Sequence, residues 1–154
     1  MAMPSTTERV PFNTSQAVNQ KIERQTERNI AYYAAHPQLI DGRLEELNRE
    51  WDTERTLEAN AASVTMASVA LGLLVSRKWL LLPALVGGFL MQHAVQGWCP
   101  PLPLLRRMGV RTQTEIEKER YALKALRGDF NQLEAAQAGG DVTQVTERVL
   151  HAVK

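Results

Sequence analysis

The sequence predicts an all-α protein: a two-span transmembrane helical hairpin with cytoplasmic amphipathic helices before and after it. The main observation is the stretch from Ala59 to Trp98, in which Arg77 and Lys78 are the only charged residues. Two apolar runs joined by a short charged link are typical of helices that cross a bilayer as a pair. The flanking sequence is charged and contains good helix formers, which predicts helices outside the membrane.

Composition limits the classes of function. A chain of 154 residues has room for one small domain or a membrane hairpin with flanks. Its net charge of +1, from 18 basic and 17 acidic residues, lacks the positive field of nucleic-acid-binding proteins, so we expect no nucleic-acid partner. The single cysteine, Cys99, excludes a disulfide within the chain. Since no catalytic motif or metal-ligand spacing is present, we expect no enzymatic activity, no cofactor and no metal.

The region before the hairpin divides at residue 16. Residues 1–16 are polar and contain two prolines, which predicts a flexible tail. Residues 17–58 are predicted to form cytoplasmic helices. Within them Ile40, Leu44, Leu47 and Trp51 follow at spacings of four, three and four, a heptad-like pattern. This seam either packs on a neighbouring helix of the same chain or forms a dimer contact.

The hairpin itself, residues 59–98, is predicted to contain spans at about 59–75 and 79–98. The first span is short and partly polar, but its small residues recur every four positions, which allows another helix to approach closely in lipid. The second span has an aromatic residue at each end, Trp79 and Trp98, as interfacial anchors do. The predicted helix-packing residues are Ser68, Gly72 and Ser76 in the first span, facing Ala84 and Gly88 in the second.

The distribution of positive charge predicts the orientation. Only Arg77 and Lys78 lie in the link, whereas arginines are frequent before the first span and after the second, including Arg106, Arg107 and Arg111. Because loops rich in arginine and lysine stay in the cytoplasm, both termini are predicted to be cytoplasmic.

The sequence after the second span predicts two further regions. Residues 99–111 contain three prolines and are expected to form an extended, proline-rich surface segment at the membrane. Residues 112–154 are predicted to form cytoplasmic C-terminal helices, the first beginning with a capping box at Thr112 or Thr114 and ending by Gly139. Its apolar residues have roughly heptad spacing: Ile116, Leu123, Leu126, Phe130 and Leu133.

The candidate thiol site lies at the end of the second span. Gln92, Gln96 and Cys99 follow at spacings of four and three and share one helix face, with His93 on the flank. One interpretation is a polar pocket in which His93 helps to deprotonate Cys99. The other is that Gln92 and Gln96 hydrogen-bond to a neighbouring helix, while His93 and Cys99 are merely interfacial.

The motif Gly97-Trp98-Cys99-Pro100 at the end of an apolar hairpin resembles the YgaP-like inner-membrane transmembrane domain family, here without the rhodanese domain that often precedes it. The resemblance covers about residues 55–112 and includes Gly109 and Thr112. The segment between Cys99 and Gly109 is longer and richer in proline than the family pattern. The resemblance implies an inner-membrane location, cytoplasmic termini and a homodimer formed through the hairpin.

These observations lead to one main hypothesis and two alternatives. The main hypothesis is a bacterial inner-membrane protein that acts as a non-enzymatic, dimerising scaffold, with membrane lipid, a second copy and a cytoplasmic protein as partners. The first alternative is a sulfur or redox accessory protein that uses Cys99 as a persulfide or thiol carrier. The second is a soluble helical interaction protein in which flanking helices bury the apolar hairpin.

Overall fold

A computed structural model describes residues 5–131, Thr146 and Val149, and this part of the chain is helical with no strand. Its contacts form two compact units, one made of residues 5–25 and Trp51–Ile116, the other of residues 26–50 and 117–131. The α-helices are α1 (Arg9–Phe12), α2 (Gln16–Ala35), α3 (Ile40–Arg49), α4 (Thr53–Leu74), α5 (Leu81–Gln96), α6 (Leu102–Met108) and α7 (Gln113–Arg127). Short 3-10 turns at Pro37–Leu39 and Arg77–Leu80 precede α3 and α5.

The N-terminal segment is the first difference from the sequence prediction. In the described part of residues 1–16, α1 forms and Val10 is 3% exposed, so this segment is not a free tail. Val10 belongs to a buried cluster with Leu57, Cys99 and Leu102. Val10 stands in a short, mainly polar segment and gives almost no sequence signal, yet its burial helps to hold a short helix because matching cover lies elsewhere in the chain.

The two apolar helices α4 and α5 follow one another and contact each other. Asp52 begins α4, because its side chain accepts a hydrogen bond of 2.7 Å from the Arg55 backbone N–H. Gly97 ends α5 with a φ of 74°, a left-handed conformation that favours glycine. The first turn of α4 and the last turn of α5 are therefore at the same end, where Glu54 and His93 meet.

The small residues of the apolar helices do not pack as predicted. Ser68 and Gly72 are buried, and a Cβ added to Gly72 would lie 2.4 Å from the Leu80 side chain. Ala84 and Gly88 are exposed, and a Cβ added to Gly88 would meet no atom within 4 Å in the described structure. Gly72 thus packs against Leu80, a large side chain for which the missing Cβ leaves room.

Both apolar helices leave most of their surface uncovered. Two helical stretches, Pro37–Leu74 and Arg77–Gln96, are long and apolar enough to cross a membrane. In their most apolar windows only 17% and 6% of the residues are buried. Large side chains are strongly exposed along both helices, among them Met66, Leu73, Leu74, Leu81, Leu85 and Met91.

The proline-rich segment 99–111 is a second difference, since it contains the helix α6 instead of remaining extended. Pro101 is the N-cap of α6 and Pro103 lies in its first turn. A proline in these positions lacks only an N–H that would have no partner in the helix anyway. The prolines therefore begin a helix here, and they interrupt only the continuation of α5.

Arg106 on α6 is a buried side chain with polar partners in several segments. Its guanidinium is fully buried and forms a bidentate ion pair with Glu115, with N–O distances of 2.6 and 2.7 Å. The remaining N–H groups donate to Thr14 Oγ1, Asn19 Oδ1 and the Val110 carbonyl oxygen. All five donors of the guanidinium are used, which is what a buried arginine requires.

Glu115 also caps the start of α7. It forms a capping box with Thr112, one of the two cap positions that the sequence predicted. The Thr112 backbone N–H donates to Glu115 Oε2 over 2.8 Å, and the Glu115 N–H donates to Thr112 Oγ1 over 3.3 Å. Burial raises the pKa of Glu115, but the hydrogen bonds from Arg106 and Thr112 lower it by more, so the pKa lies below its ordinary value.

The end of α7 differs from the prediction. The helix ends at Arg127, and Gly128 follows with a φ of 90°. This glycine provides the left-handed position that we expected near Gly139. Leu133 and Gly139 lie outside the described residues.

The second unit contains α3 and most of α7. Ile40, Leu44 and Leu47 of the predicted seam are buried there, whereas Trp51, assigned to the other unit, is 49% exposed. A further buried group is Glu119, which is 0% exposed. Its carboxylate accepts hydrogen bonds from Arg43 Nε over 2.8 Å and from Asn29 Nδ2 over 3.1 Å.

We predict that Arg106→Gln destabilises the protein by about 3–5 kcal/mol, because it leaves the Glu115 carboxylate without its buried partner. The free energy of unfolding, measured by denaturant titration with circular dichroism, checks this. Arg107→Gln is the matched control: Arg107 is exposed on the same helix, and its replacement should change stability by less than about 0.5 kcal/mol. Equal effects of the two substitutions would contradict the role given to Arg106.

Candidate functional site

The candidate site is centred on His93 in the last turn of α5. His93 Nε2 lies 2.8 Å from Glu54 Oε2, and Arg9 Nη2 lies 3.0 Å from Glu54 Oε1. Since an ionised carboxylate only accepts hydrogen bonds, the imidazole Nε2 carries the proton in this contact. The Glu54 carboxylate thus fixes both the orientation and the tautomer of the His93 ring.

Cys99 is the second member of the site. It is 2% exposed, it packs with Val10, Leu57 and Leu102, and its thiol interacts with the His93 ring. His93 is itself 4% exposed, and its Nδ1 has no hydrogen-bond partner of good geometry in the described structure. When the ring is neutral and Nε2–H is donated to Glu54, Nδ1 is an acceptor on the ring that the Cys99 thiol contacts. The arrangement can therefore accept the proton of a nearby thiol.

The N-terminal segment closes the site. Arg9 Nη1 donates to the Ala94 carbonyl oxygen over 2.7 Å, and Asn13 Nδ2 donates to the Gln96 carbonyl oxygen over 2.7 Å. These two side chains satisfy carbonyl groups at the C-terminal end of α5 that have no partner within the helix. Gly97 is essential to this contact, because a Cβ at this position would lie 2.6 Å from the Arg9 carbonyl carbon and oxygen.

The structure separates the four residues of the predicted thiol site. It brings His93 and Cys99 together in the buried interior. Gln92 is half-buried and Gln96 is exposed, and the contact that Gln96 makes with α1 uses its backbone. The shared helix face suggested by the spacing ends at Gly97, where the left-handed turn redirects the chain before Cys99.

The other predicted residues are distributed as follows. Trp79 is 43% exposed and Trp98 is half-buried. Among the arginines assigned to topology, Arg107 is exposed, whereas Arg106 and Arg111 are buried. Arg106 is committed to Glu115 and therefore does not present its charge to lipid headgroups.

An apolar cleft of about 310 Å³ opens beside Cys99. It lies among α4, α5 and α6, and no charged residue lines it. Its volume is at the small end of the roughly 300–1,000 Å³ typical of ligand sites, so it suits a slender ligand. The lining residues are Leu57, Asn60, Ala61, Val64, Val86, Phe89, Leu90, Cys99, Pro101, Leu104 and Leu105.

The residues that the sequence analysis missed are Glu54 and Arg9. Glu54 stands in a charged run that is typical of a solvated helix face, and Arg9 lies in the segment expected to be a tail. One signal was available in the sequence. His93 is an isolated histidine near the end of the second apolar run, and Glu54 lies shortly before the first run, so an antiparallel hairpin would bring the two side chains to the same end.

No group of three or more histidine, cysteine, aspartate or glutamate residues that could hold a metal is present among the residues described.

Comparisons with known proteins were made for the whole chain. A scan against protein-family models found no match, and neither did searches of the curated proteins and of the solved structures. The similarity to the YgaP-like family therefore stays a prediction based on the motif and its position.

We predict that Gly97→Ala increases the rate at which Cys99 reacts with a charged, water-soluble maleimide by about tenfold. A left-handed alanine costs roughly 1–2 kcal/mol, and its Cβ would also push α1 away from the end of α5. Because the chain has one cysteine, mass spectrometry of the intact protein measures this reaction directly.

Gly88→Ala is the matched control, since a Cβ at Gly88 meets no atom within 4 Å among the described residues. It should leave the rate of modification unchanged. If both variants react like the unmodified sequence, α1 does not control access to Cys99.

Proposed function

We propose that this chain is an integral protein of a bacterial inner membrane, in which residues 59–75 and 79–98 cross the bilayer as a helical hairpin. Both termini then lie in the cytoplasm, and the protein acts as a dimerising membrane scaffold without enzymatic activity. The observation that carries this proposal is the exposure of the apolar helices, whose most apolar windows are only 17% and 6% buried.

The energetic argument rests on the most exposed leucines. Leu73, Leu74 and Leu81 are 77%, 84% and 75% exposed, close to the link between the two helices. Burying one such side chain away from water is worth about 1.5–3 kcal/mol. A continuous apolar surface of this kind marks an interaction with membrane or protein, and its length matches a membrane span.

Three polar side chains of the first proposed span, Asn60, Ser63 and Ser68, are compatible with lipid because they bond within their own helix. Asn60 Nδ2 donates to the Thr56 carbonyl oxygen over 2.7 Å, and Ser63 Oγ donates to the Ala59 carbonyl oxygen over 2.8 Å. Ser68 Oγ donates to the Val64 carbonyl oxygen over 2.6 Å. A donor satisfied in this way no longer needs water, so the first span is less polar than its composition indicates.

The soluble alternative, in which flanking helices bury the hairpin, requires cover for both apolar helices. In the described residues, the segments packed near α4 and α5 lie at the end that contains Glu54, His93 and Cys99. The opposite end, with Leu74 and Leu81, is exposed. This distribution favours lipid as the covering medium.

Dimer formation is supported by exposed apolar side chains outside the proposed spans. Leu126 on α7 is 46% exposed and Tyr121 is 41% exposed. Within the proposed spans, Ala84 and Gly88 are exposed small residues of the type that lets two membrane helices approach closely. Both surfaces are available to a second copy of the chain.

A second candidate function, a thiol carrier at Cys99, is favoured by one specific observation. The thiol lies beside His93, whose ring is oriented by Glu54 and whose Nδ1 is a buried acceptor without a partner of good geometry. Because Cys99 is 2% exposed, transfer of sulfur from a cytoplasmic protein requires the N-terminal segment to open first.

Carbonate washing of membranes from cells that express the full chain tests the membrane proposal. We expect the protein to stay in the membrane pellet at alkaline pH and to be released only by detergent, since apolar helices in lipid do not depend on charge. Release by carbonate would mean that protein covers the apolar helices, and the proposed topology and location would both be wrong.

Leu126→Asp tests the dimer seam. If Leu126 is buried between two copies, the loss of about 1.5–3 kcal/mol of burial per copy should raise the dimer dissociation constant more than about tenfold. Light scattering in detergent measures the dimer fraction, and Ala125→Asp, at an exposed neighbouring position, is the control. An unchanged dimer fraction in Leu126→Asp would exclude this seam.

A further inference from the structure

The cleft beside Cys99 is continuous with the exposed apolar surface of the helices that form it. At its rim Val64, Leu90 and Leu104 are 42%, 36% and 62% exposed. At its floor Leu57 and Cys99 are 4% and 2% exposed. The cleft therefore leads from a surface that faces lipid, according to the proposed function, into the buried interior of the unit.

The lining carries no charge and favours an apolar ligand. The only side-chain amide is that of Asn60, and one of its N–H groups is already donated to the Thr56 carbonyl oxygen. The nearby charges of Glu54 and Arg9 are paired with each other and with His93, and neither residue lines the cleft. A charged group placed here would lose its hydration without gaining a partner.

We propose that the cleft binds one acyl chain of a membrane phospholipid, with the part of the chain next to the headgroup beside Leu57 and Cys99 and the end of the chain towards Val64 and Val86. This inference rests on the proposed membrane location. An acyl chain is slender, uncharged and supplied by the surrounding bilayer, and it enters from the rim without any movement of the N-terminal segment. Its headgroup stays at the cytoplasmic surface of the membrane, near α6.

The bound acyl chain would also give Cys99 a structural role, different from the roles of proton donor and interfacial residue considered above. A thiol is a small, weakly polar group and behaves as a hydrophobic side chain when buried, so it suits the end of an apolar cleft. The acyl chain then shields the thiol and the His93 ring from water on the side facing the membrane. The N-terminal segment shields them on the other side, through Val10.

Photolabelling of the full-length protein tests this proposal. The protein is reconstituted in phosphatidylcholine vesicles that contain phosphatidylcholine with a diazirine close to the ester group of one acyl chain. After irradiation, tandem mass spectrometry maps the labelled residues. We expect label on Leu57 or Cys99, which lipid at the outer surface does not reach, as well as on exposed residues such as Leu73 and Met91.

A matched pair of variants makes the test specific. Ala61 lines the cleft, whereas its neighbour Ala62 is exposed and does not line it. Ala61→Phe should fill the cleft and reduce labelling of the floor about tenfold, while labelling of exposed residues continues. Ala62→Phe should change neither. If Ala61→Phe loses helix content by circular dichroism, Ala61→Leu replaces it, with a smaller reduction expected.

Three outcomes would overturn the proposal. Label on exposed residues alone would show that lipid does not enter the cleft, while the membrane proposal stands. Equal labelling of the floor in Ala61→Phe would show that the probe reaches Leu57 and Cys99 by another route. Absence of label from both the floor and the exposed residues would contradict the membrane location itself, and the acyl-chain site with it.

Discussion

The buried guanidinium of Arg106 constrains the whole unit that contains the apolar helices. A buried charge is tolerated only when every donor is paired, and Arg106 meets this requirement with groups from several segments. Thr14 and Asn19 come from the region around the start of α2, and Glu115 from the start of α7. The hydrogen bonds to Thr14 and Asn19 thus hold the N-terminal segment to α6, and the sequence immediately before Thr14 is α1, which closes the end of α5.

This connection concentrates the polar contacts of the unit at one end, so the two ends of the unit differ in polarity. At one end, charges are paired: the buried Arg106 with Glu115, and the partly exposed Glu54 with Arg9 and His93. At the other end, large apolar side chains such as Leu74 and Leu81 are exposed. In water this distribution is unfavourable at the exposed end, whereas next to a bilayer it is favourable at both ends. The membrane proposal therefore accounts for the polar network and the apolar surface together.

The sequence predicted the elements whose signal is local. The capping box at Thr112 and Glu115, the helical class and the positions of the two apolar helices follow from short-range pattern and propensity. It could not predict α1, because the burial of Val10 depends on Leu57, Cys99 and Leu102, which are distant in sequence. Arg106 was assigned to membrane topology for the same reason, since a paired arginine and a free arginine have the same sequence signature.

The candidate site shows the same limit. His93 and Cys99 were identified from their unusual position at the end of an apolar run, but the spacing rule that added Gln92 and Gln96 assumed a continuous helix as far as Cys99. Gly97 ends that helix, so the face predicted from the spacing does not exist beyond it. Glu54, which orients His93, comes from the start of α4 and was hidden among ordinary surface charges.

Single-cysteine labelling in intact bacterial cells tests the central claim, a hairpin that crosses the bilayer with both termini inside, most directly. In a Cys99→Ser background, Ser76→Cys places a thiol in the link between the apolar helices and Ser15→Cys places one before α2. The account predicts that a membrane-impermeant maleimide labels Ser76→Cys in intact cells and labels Ser15→Cys only after the cells are lysed. Labelling of Ser15→Cys in intact cells, or protection of both positions until lysis, would contradict it.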